Sequence, residues 1–300
     1  SAHSKDVPLP PDESNCIYVE DGFAYVADYM TGLSVFDISD KSNPVKISEL
    51  DLSGDGMDVS VSGKFAYVAC GYSGLQIIHI SDIKNMKLVS SFINKDTSID
   101  YANRLQVKDN LVFLADGVGG LKIIDVSLTD TPKLISKFGS TYQGSIDDVL
   151  IEDGIAYLAD YRAGFIVVDI TDLKNPRLVS ETRTTGVTKS LCRIDSSQED
   201  TPYVLVADHR RINVIDISDI TKPFIAGSYE GLKSAACVEA PGNYAFVADY
   251  NLGLVQLDTT EITKPALIKT FDTGKTNDVC IYEDYVYAVG EKGISVFAIE

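Results

Sequence analysis

Short apolar runs separated by polar turns follow one another along the whole chain, and none has the spacing of an amphipathic helix. Four such runs succeed each other at 149–151, 156–159, 165–170 and 177–181. Their lengths are typical of β-strands, and the third run is apolar on both faces, which requires cover from two sides. The pattern therefore predicts an all-β protein, with strands named A to D in each set of four.

The set occurs seven times along the chain, the last time without its fourth run. Its clearest marker is a Tyr-Val-Ala-Asp segment or a close variant at the end of strand B, found at 25–28, 67–70, 113–116, 157–160, 205–208, 246–249 and 287–290. A period of about 40 to 48 residues with four strands per repeat is typical of small sheets stacked around an axis. The sequence thus predicts a seven-bladed β-propeller of four-stranded antiparallel blades, forming a single domain over residues 1–300.

The last repeat contains strands A, B and C but ends before a strand D. An open ring would expose a sheet edge, and residues 5–9 stand at the right distance before the first blade to fill it. We therefore expect an N-terminal strand to complete the last blade. The predicted blades are roughly 17–58, 59–104, 105–148, 149–190, 191–236, 237–278, and 279–300 plus 1–14.

Further markers accompany each repeat: Gly32-Leu33 opens strand C, and Asp37-Ile38-Ser39 ends it. With the segment 25–28, this pattern resembles the LVIVD-repeat family, and the similarity covers residues 17–300. The resemblance implies a bacterial or archaeal surface or exported propeller, hence an extracytoplasmic location, and it implies no catalytic residue. The fifth repeat departs from the pattern through Arg211 in place of the glycine and an insertion at 195–200.

Composition restricts the partners. The chain has 26 Lys and Arg against 44 Asp and Glu, a net charge of −18, so nucleic acid is excluded as a partner. No apolar run is long enough to insert into a membrane. The five cysteines are odd in number, widely spaced and free of CxxC pairs, so buried free thiols are expected. Nothing in the sequence determines the oligomeric state.

Aspartates recur at two positions of the repeat. They end strand B at Asp28, Asp116, Asp160, Asp208 and Asp249, and strand C at Asp37, Asp125, Asp169, Asp216 and Asp258. Aspartate caps turns by accepting backbone N–H bonds. Because architecture demands repetition and a single site does not, both sets are predicted to be structural.

A candidate binding surface follows from topology, since the D–A and B–C connections of a propeller emerge on the same face around the central channel. Counting back from strand A gives Cys16, Asp58, Arg104, Asp148, Ser190, Ala236 and Asp278 at its start, preceded by Asn15, Met57, Asn103, Asp147, Lys189, Ala235 and Asn277. These positions vary between blades, and tyrosines in the B–C turns suit recognition. The predicted binding residues are Asp58, Arg104, Asp148, Lys189, Asp278, Tyr29, Tyr72, Tyr161, Tyr250 and His209.

Established catalytic and metal motifs are missing from the sequence. The three histidines stand at non-equivalent positions, and no GxSxG, P-loop or GxGxxG motif occurs in a suitable setting. No cofactor and no metal site is predicted. Calcium is the one ion for which acidic clusters exist, at Asp51, Asp55 and Asp58 and at Asp195, Glu199 and Asp200, although neither follows an EF-hand loop.

Three functions remain open at this point. The leading hypothesis is a non-catalytic binding module that presents its channel face to a protein or glycan partner at or outside the cell envelope. The alternative is a hydrolase or lyase acting on a polysaccharide or lactone, with Asp58, Asp148 or Asp278 as acid and base. A third possibility is a structural spacer without a dedicated ligand.

Overall fold

The computed structural model describes residues 14–41, 43–93, 100–139, 144–194 and 202–299. Regular structure in these ranges is almost entirely β-strand, with one 3-10 turn at Ile83–Asn85. None of the helical structure described is long and apolar enough to span a membrane. The all-β prediction is confirmed.

Antiparallel pairing organises the strands into successive sheets. The first two contain β1 Ser14–Glu20, β2 Phe23–Asp28, β3 Gly32–Asp37 and β4 Val45–Leu50, then β5 Asp58–Ser62, β6 Phe65–Ala69, β7 Leu75–His79 and β8 Lys87–Phe92. Next come β9 Asp100–Lys108, β10 Leu111–Gly117, β11 Leu121–Asp125 and β12 Lys133–Phe138, joined through one residue pair to β13 Ile146–Glu152, β14 Ile155–Asp160, β15 Gly164–Asp169 and β16 Arg177–Thr182.

The remaining strands form a six-stranded sheet and a three-stranded sheet. The former contains β17 Thr188–Arg193, β18 Tyr203–Asp216, β19 Phe224–Glu239, β20 Tyr244–Asp249, β21 Gly253–Asp258 and β22 Ala266–Phe271, and the latter β23 Thr276–Tyr282, β24 Tyr285–Gly290 and β25 Gly293–Ala298. The long strands β18 and β19 each span two predicted strands. The first part of β18 pairs with β17 and its second part with β19, and β19 likewise pairs first with β18 and then with β20.

The continuity of β18 has a local cause. In the fourth repeat, Gly164 opens strand C with a φ of +92°, and a Cβ there would lie 2.6 Å from the carbonyl oxygen of Thr182. Only glycine fits such a position, which explains the Gly-Leu marker. The fifth repeat has Arg211 instead, and the chain passes through a bulge at His209, whose φ is +45°.

Inner strands follow one another around a common centre. Strands β1, β5, β9, β13, β17, the end of β19, and β23 contact each other in that order, and β23 contacts β1. Core clusters lie between adjacent sheets, including one that joins Phe36 of the first to Tyr287 of the last. The predicted double cover of the strands is therefore confirmed.

The outer edge of the last sheet bears on the predicted closure. Within the described ranges, β25 pairs with β24 and with no strand on its other side. The segment 5–9 that was predicted to complete this sheet lies outside the described residues. The closure stays a prediction.

The repeated aspartates perform the predicted structural role. At the end of strand B, Asp160 accepts hydrogen bonds from the N–H groups of Arg162 and Ala163, both at 2.8 Å. Asp28 and Asp249 cap their turns in the same way. Each strand C aspartate accepts the N–H two residues later, at Ser39, Ser127, Thr171, Ser218 and Thr260.

Two members of the strand B set differ in their partners. Asp208 accepts the N–H of Gly186 at 3.1 Å, which ties its strand to the preceding D–A connection. Asp116 instead forms a buried ion pair with Lys122, which also contacts Asp100 at 3.1 Å. Each of these two aspartates thus contacts a partner within the scaffold.

Candidate functional site

The D–A connections and the B–C turns meet on one face of the molecule, as predicted. A cavity of about 280 Å³ opens there, lined by Asn15, Met57, Asn103, Arg104, Asp147, Lys189, His209, Ser234, Ala235, Ala236, Tyr250 and Asn277. Residues from both kinds of connection contribute to this lining. We call this face the mouth.

Arg104 forms the floor of the mouth. Its guanidinium donates a hydrogen bond to Asp278 Oδ1 at 2.8 Å, and its side chain lines both the mouth cavity and a second cavity of about 270 Å³ beneath it. This lower cavity also contains Asp58, Asp148 and Asp278. The predicted binding residues are thus divided by depth, with Lys189, His209 and Tyr250 above the floor and the three carboxylates below it.

Each of these three carboxylates accepts a backbone N–H from the inner strand of the next sheet. Asp58 bonds to Leu105 N at 2.7 Å, Asp148 to Leu191 N at 2.9 Å, and Asp278 to Ile17 N at 2.9 Å.

An inner strand is the edge of its sheet, so its inward N–H groups need acceptors that no further strand supplies. The aspartates meet this need. The bond from Asp278 to Ile17 also links the last sheet to the first.

Burial raises the pKa values of several acidic side chains that line the lower cavity. Burial raises the pKa of Asp58 to about 6, against the lowering influence of Arg104. Burial likewise raises the pKa of Asp148, and burial together with the Asp278 carboxylate raises that of Glu239 to about 7. Several acids around one guanidinium therefore share a region where the charged form is costly.

Glu239 was missed by the sequence analysis because only the start of each inner strand and the residue before it were considered, and Glu239 lies further along its strand. The sixth repeat also contained a register error. Strand pairing places Cys237 opposite Ala248, the position that Asp148 occupies opposite Ala159. The start of this inner strand is therefore Cys237, and the predicted Ala236 is wrong by one residue. Small apolar side chains at 235–237 gave no alternation that could fix the register.

The cysteines are free thiols, and Cys16, Cys70, Cys192 and Cys237 are buried as predicted, while Cys280 is half-buried. Cys16 does more than fill space, because its Sγ donates to Asp58 Oδ1 at 2.8 Å. Burial raises the pKa of Cys70 to about 12 and holds the other thiols protonated too.

Two tyrosines at the mouth each lie beside a lysine side chain. Lys189 Nζ lies 5.1 Å from the ring centroid of Tyr161, and Lys275 Nζ lies 5.5 Å from that of Tyr250. Lys189 also pairs with Asp147 at 2.6 Å. In both ring contacts, the cation from one sheet covers the tyrosine of the preceding sheet.

A side cavity of about 400 Å³ adjoins the mouth cavity and shares Asn103, Asp147 and Lys189 with it. Tyr161 and Arg162 line its outer part. The two cavities together form a recess across the mouth.

The other predicted tyrosines belong to a separate part of the mouth. Tyr29 and Tyr72 are exposed and line neither the mouth cavity nor the side cavity. Tyr72 packs edge to face on Tyr101, with ring centroids 4.8 Å apart, and the Tyr101 hydroxyl donates to Asp55 at 2.8 Å and contacts the Met57 sulfur at 3.3 Å. This group is mainly aromatic, contains the Asp55 carboxylate as the acceptor of the Tyr101 hydroxyl, and adjoins the two cavities through Tyr101 and Met57.

The acidic clusters considered for calcium have separate outcomes. In the first, Asp58 is bound to Leu105 N and Cys16, and Asp55 to Tyr101. The second, at 195–200, lies outside the described residues. Across the ranges that the structure covers, no group of three acidic, histidine or cysteine side chains is arranged to hold a metal ion.

The repeat pattern identifies the family. A model described as "LVIVD repeat" matches residues 13–51, 53–94, 100–138, 143–184, 202–231, 234–273 and 273–296. The chain belongs to the LVIVD-repeat family. The fifth match starts only at residue 202, after the insertion that separates β17 from β18.

Solved structures show which fold this LVIVD-repeat protein has. The structure of U3-55K is similar with a TM-score of 0.78 and 9% identity, covering 98% of this chain and 97% of that one. The Cps50 (Swd1) β-propeller domain of Myceliophteria thermophila gives a TM-score of 0.73 at 10% identity, over 97% and 99% of the two chains.

BamB from Moraxella catarrhalis gives a TM-score of 0.65 at 14% identity, over 95% of this chain and 82% of that one. No curated protein matches the sequence. At these identities the similarity establishes a β-propeller fold and carries no function across.

Proposed function

We propose that this LVIVD-repeat propeller is a non-catalytic binding module that presents its mouth to a protein or glycan partner at or outside the cell envelope. One observation carries the proposal. Positions that serve the scaffold recur from repeat to repeat, whereas the side chains at the starts of the inner strands differ, and exposed tyrosines and cations surround a recess on the same face. The extracytoplasmic location rests on the family resemblance alone.

We further propose seven blades closed by residues 5–9 as the outer strand of the last sheet. Support comes from the succession of inner-strand contacts that returns from β23 to β1, and from the outer edge of β25, which pairs with no strand in the ranges that the structure describes. A rigid ring would hold the mouth side chains in fixed positions, which reduces the entropy lost on binding.

The hydrolase or lyase alternative gains no support from this geometry. The three candidate carboxylates accept hydrogen bonds from backbone N–H groups of neighbouring sheets and lie beneath Arg104, away from the mouth. They are Asp58, Asp148 and Asp278. A role in holding the inner strands accounts for all three.

Replacing mouth tyrosines tests the proposal. We expect the double variant Tyr161→Ser and Tyr250→Ser to weaken ligand binding by at least about tenfold, since buried aromatic anchors dominate interface energetics. Stability should change little, because the two side chains are 43% and 42% exposed. Binding is measured with the full chain against a displayed random-peptide library and a glycan array. Arg104 is left intact because its removal would break the Asp278 ion pair.

A matched control uses apolar side chains on the outer strands. Leu178 and Phe224 are 45% and 54% exposed and belong to β16 and β19. The variant Leu178→Ser and Phe224→Ser should bind as the unaltered chain does. Equal losses in the two double variants, or no loss in the first, would contradict a binding site at the mouth.

A further inference from the structure

One sector of the mouth is richer in solvent-accessible cations than the rest of the protein. From the fourth repeat onward, the exposed or half-buried charged side chains of these connections and the adjoining strand ends are mostly cations: Arg162, Arg183, Lys189, Arg210, Arg211, Lys233, Lys275 and Lys292 against Glu230, Asp272 and Glu291. The carboxylates Asp147, Asp160, Asp208 and Asp249 of the same segments are buried. The chain as a whole has a net charge of −18. A positive sector on a strongly acidic molecule is a local feature of this face.

Part of this positive charge is directed to solvent. Arg210 and Lys233 are exposed, and neither forms an ion pair with any residue that the structure describes. Lys189 and Lys275 lie over the rings of Tyr161 and Tyr250, so their ammonium groups are held beside aromatic surface. The sector therefore offers both unpaired and positioned cations to an incoming anion.

The opposite part of the mouth has a different chemistry. Tyr29, Met30 and Tyr72 are exposed there, next to the packed Tyr101 and Met57. Methionine and tyrosine are well suited to binding another protein, because the flexible thioether side chain adapts its shape to the partner and the tyrosine ring supplies a rigid contact area. One ligand lying across the mouth would meet cations on one side and apolar side chains on the other.

We infer that the ligand of the mouth is an acidic segment of a partner protein, with carboxylates on the cationic sector and apolar side chains on the group around Tyr29, Met30 and Tyr72. This inference rests on the proposed function and names its partner class. Two observations favour a peptide over a polysaccharide. Cations already cover the rings of Tyr161 and Tyr250, which leaves less open ring face for a sugar.

The second observation is the limited extent of the positive sector. A long polyanion, such as a uronic-acid polysaccharide, would extend past the mouth over a surface of net negative charge and be repelled there. A peptide that is acidic over a short stretch avoids this repulsion.

Peptide selection with charge-reversed variants tests the inference. Random peptides displayed on phage are selected on the immobilised full chain, and uronic-acid polysaccharides are assayed in parallel. We expect the selected peptides to be rich in Asp and Glu, and their affinity to fall at least about tenfold between about 0.05 and about 0.5 M salt. The variant Arg210→Glu and Lys233→Glu should weaken them by about tenfold or more.

The control reverses the same two residue types away from the mouth. Arg177→Glu and Lys133→Glu alter the exposed first residues of β16 and β12 and change the net charge equally. Affinity should then stay within about twofold, because charges more than a Debye length away are screened. This comparison separates the local sector from the overall charge.

Each other outcome overturns a defined statement. The acidic ligand would be refuted if the selected peptides were neutral or basic, or if their affinity did not depend on salt. It would also be refuted if they tolerated the charge reversal of Arg210 and Lys233. If such peptides still required Tyr161 and Tyr250, the mouth would remain the binding site. Mouth-dependent binding of the polysaccharides in preference to peptides would refute the acidic ligand too. Insensitivity to both the tyrosine and the charge variants would refute the proposed function itself.

Discussion

Replacing Asp278 with alanine is expected to destabilise the protein by about 2–4 kcal/mol, the cost of removing one partner from a buried charge pair. The carboxylate accepts from Arg104 at 2.8 Å and from Ile17 N at 2.9 Å. Its loss leaves the guanidinium without its ion-pair partner, an inward N–H without an acceptor, and the last sheet without this link to the first. Thermal unfolding should show a melting temperature lowered by roughly 5–10 °C.

The control for this prediction is a carboxylate in an exposed ion pair. Asp272 contacts Lys292 at 2.9 Å, and its side chain is almost fully exposed. Solvent screens an exposed ion pair, so Asp272→Ala should shift the melting temperature very little. If Asp278→Ala melted like Asp272→Ala, the assignment of the inner carboxylates as inter-sheet ties would be wrong.

Deleting residues 1–12 is the second change expected to have a large effect. In the proposed closure, the deletion leaves β25 with an open edge and uncovers the outer part of the last sheet, so we expect a melting temperature lower by at least about 10 °C. Circular dichroism on heating measures it. Deletion of residues 1–4, which spares 5–9, serves as the control and should melt like the full chain. An unchanged melt after the longer deletion would contradict the closure.

Repetition explains how much of the molecule the sequence predicts. A feature that most repeats need, such as a glycine at the position of Gly164 or an aspartate that caps the turn as Asp160 does, appears often enough to be recognised. The same physical cause explains it in each repeat. The strands, their double cover and the face on which the connections meet follow from the same pattern. The structure confirms each of these predictions in the described residues.

Features that occur once were harder to predict. Small residues at 235–237 hid the register of the sixth inner strand. Glu239 lines the lower cavity from two residues beyond the start of that strand, a position that no repeated pattern marks. The variable carboxylate Asp58 was grouped with ligand-binding residues because its acceptor role depends on Leu105 N of another sheet, which no local pattern reports. Long-range partners of single side chains require coordinates.

Hydrogen–deuterium exchange with and without a selected peptide tests the central claim most directly, namely that binding occurs at the mouth of a repeated scaffold. We expect slower exchange in the B–C turns at 29–31, 161–163 and 250–252, at the bulge at 209–211 and in the adjoining D–A connections. The outer strands β4, β8, β12, β16 and β22 should exchange as before. Protection concentrated in those outer strands, with the turns unchanged, would contradict that claim.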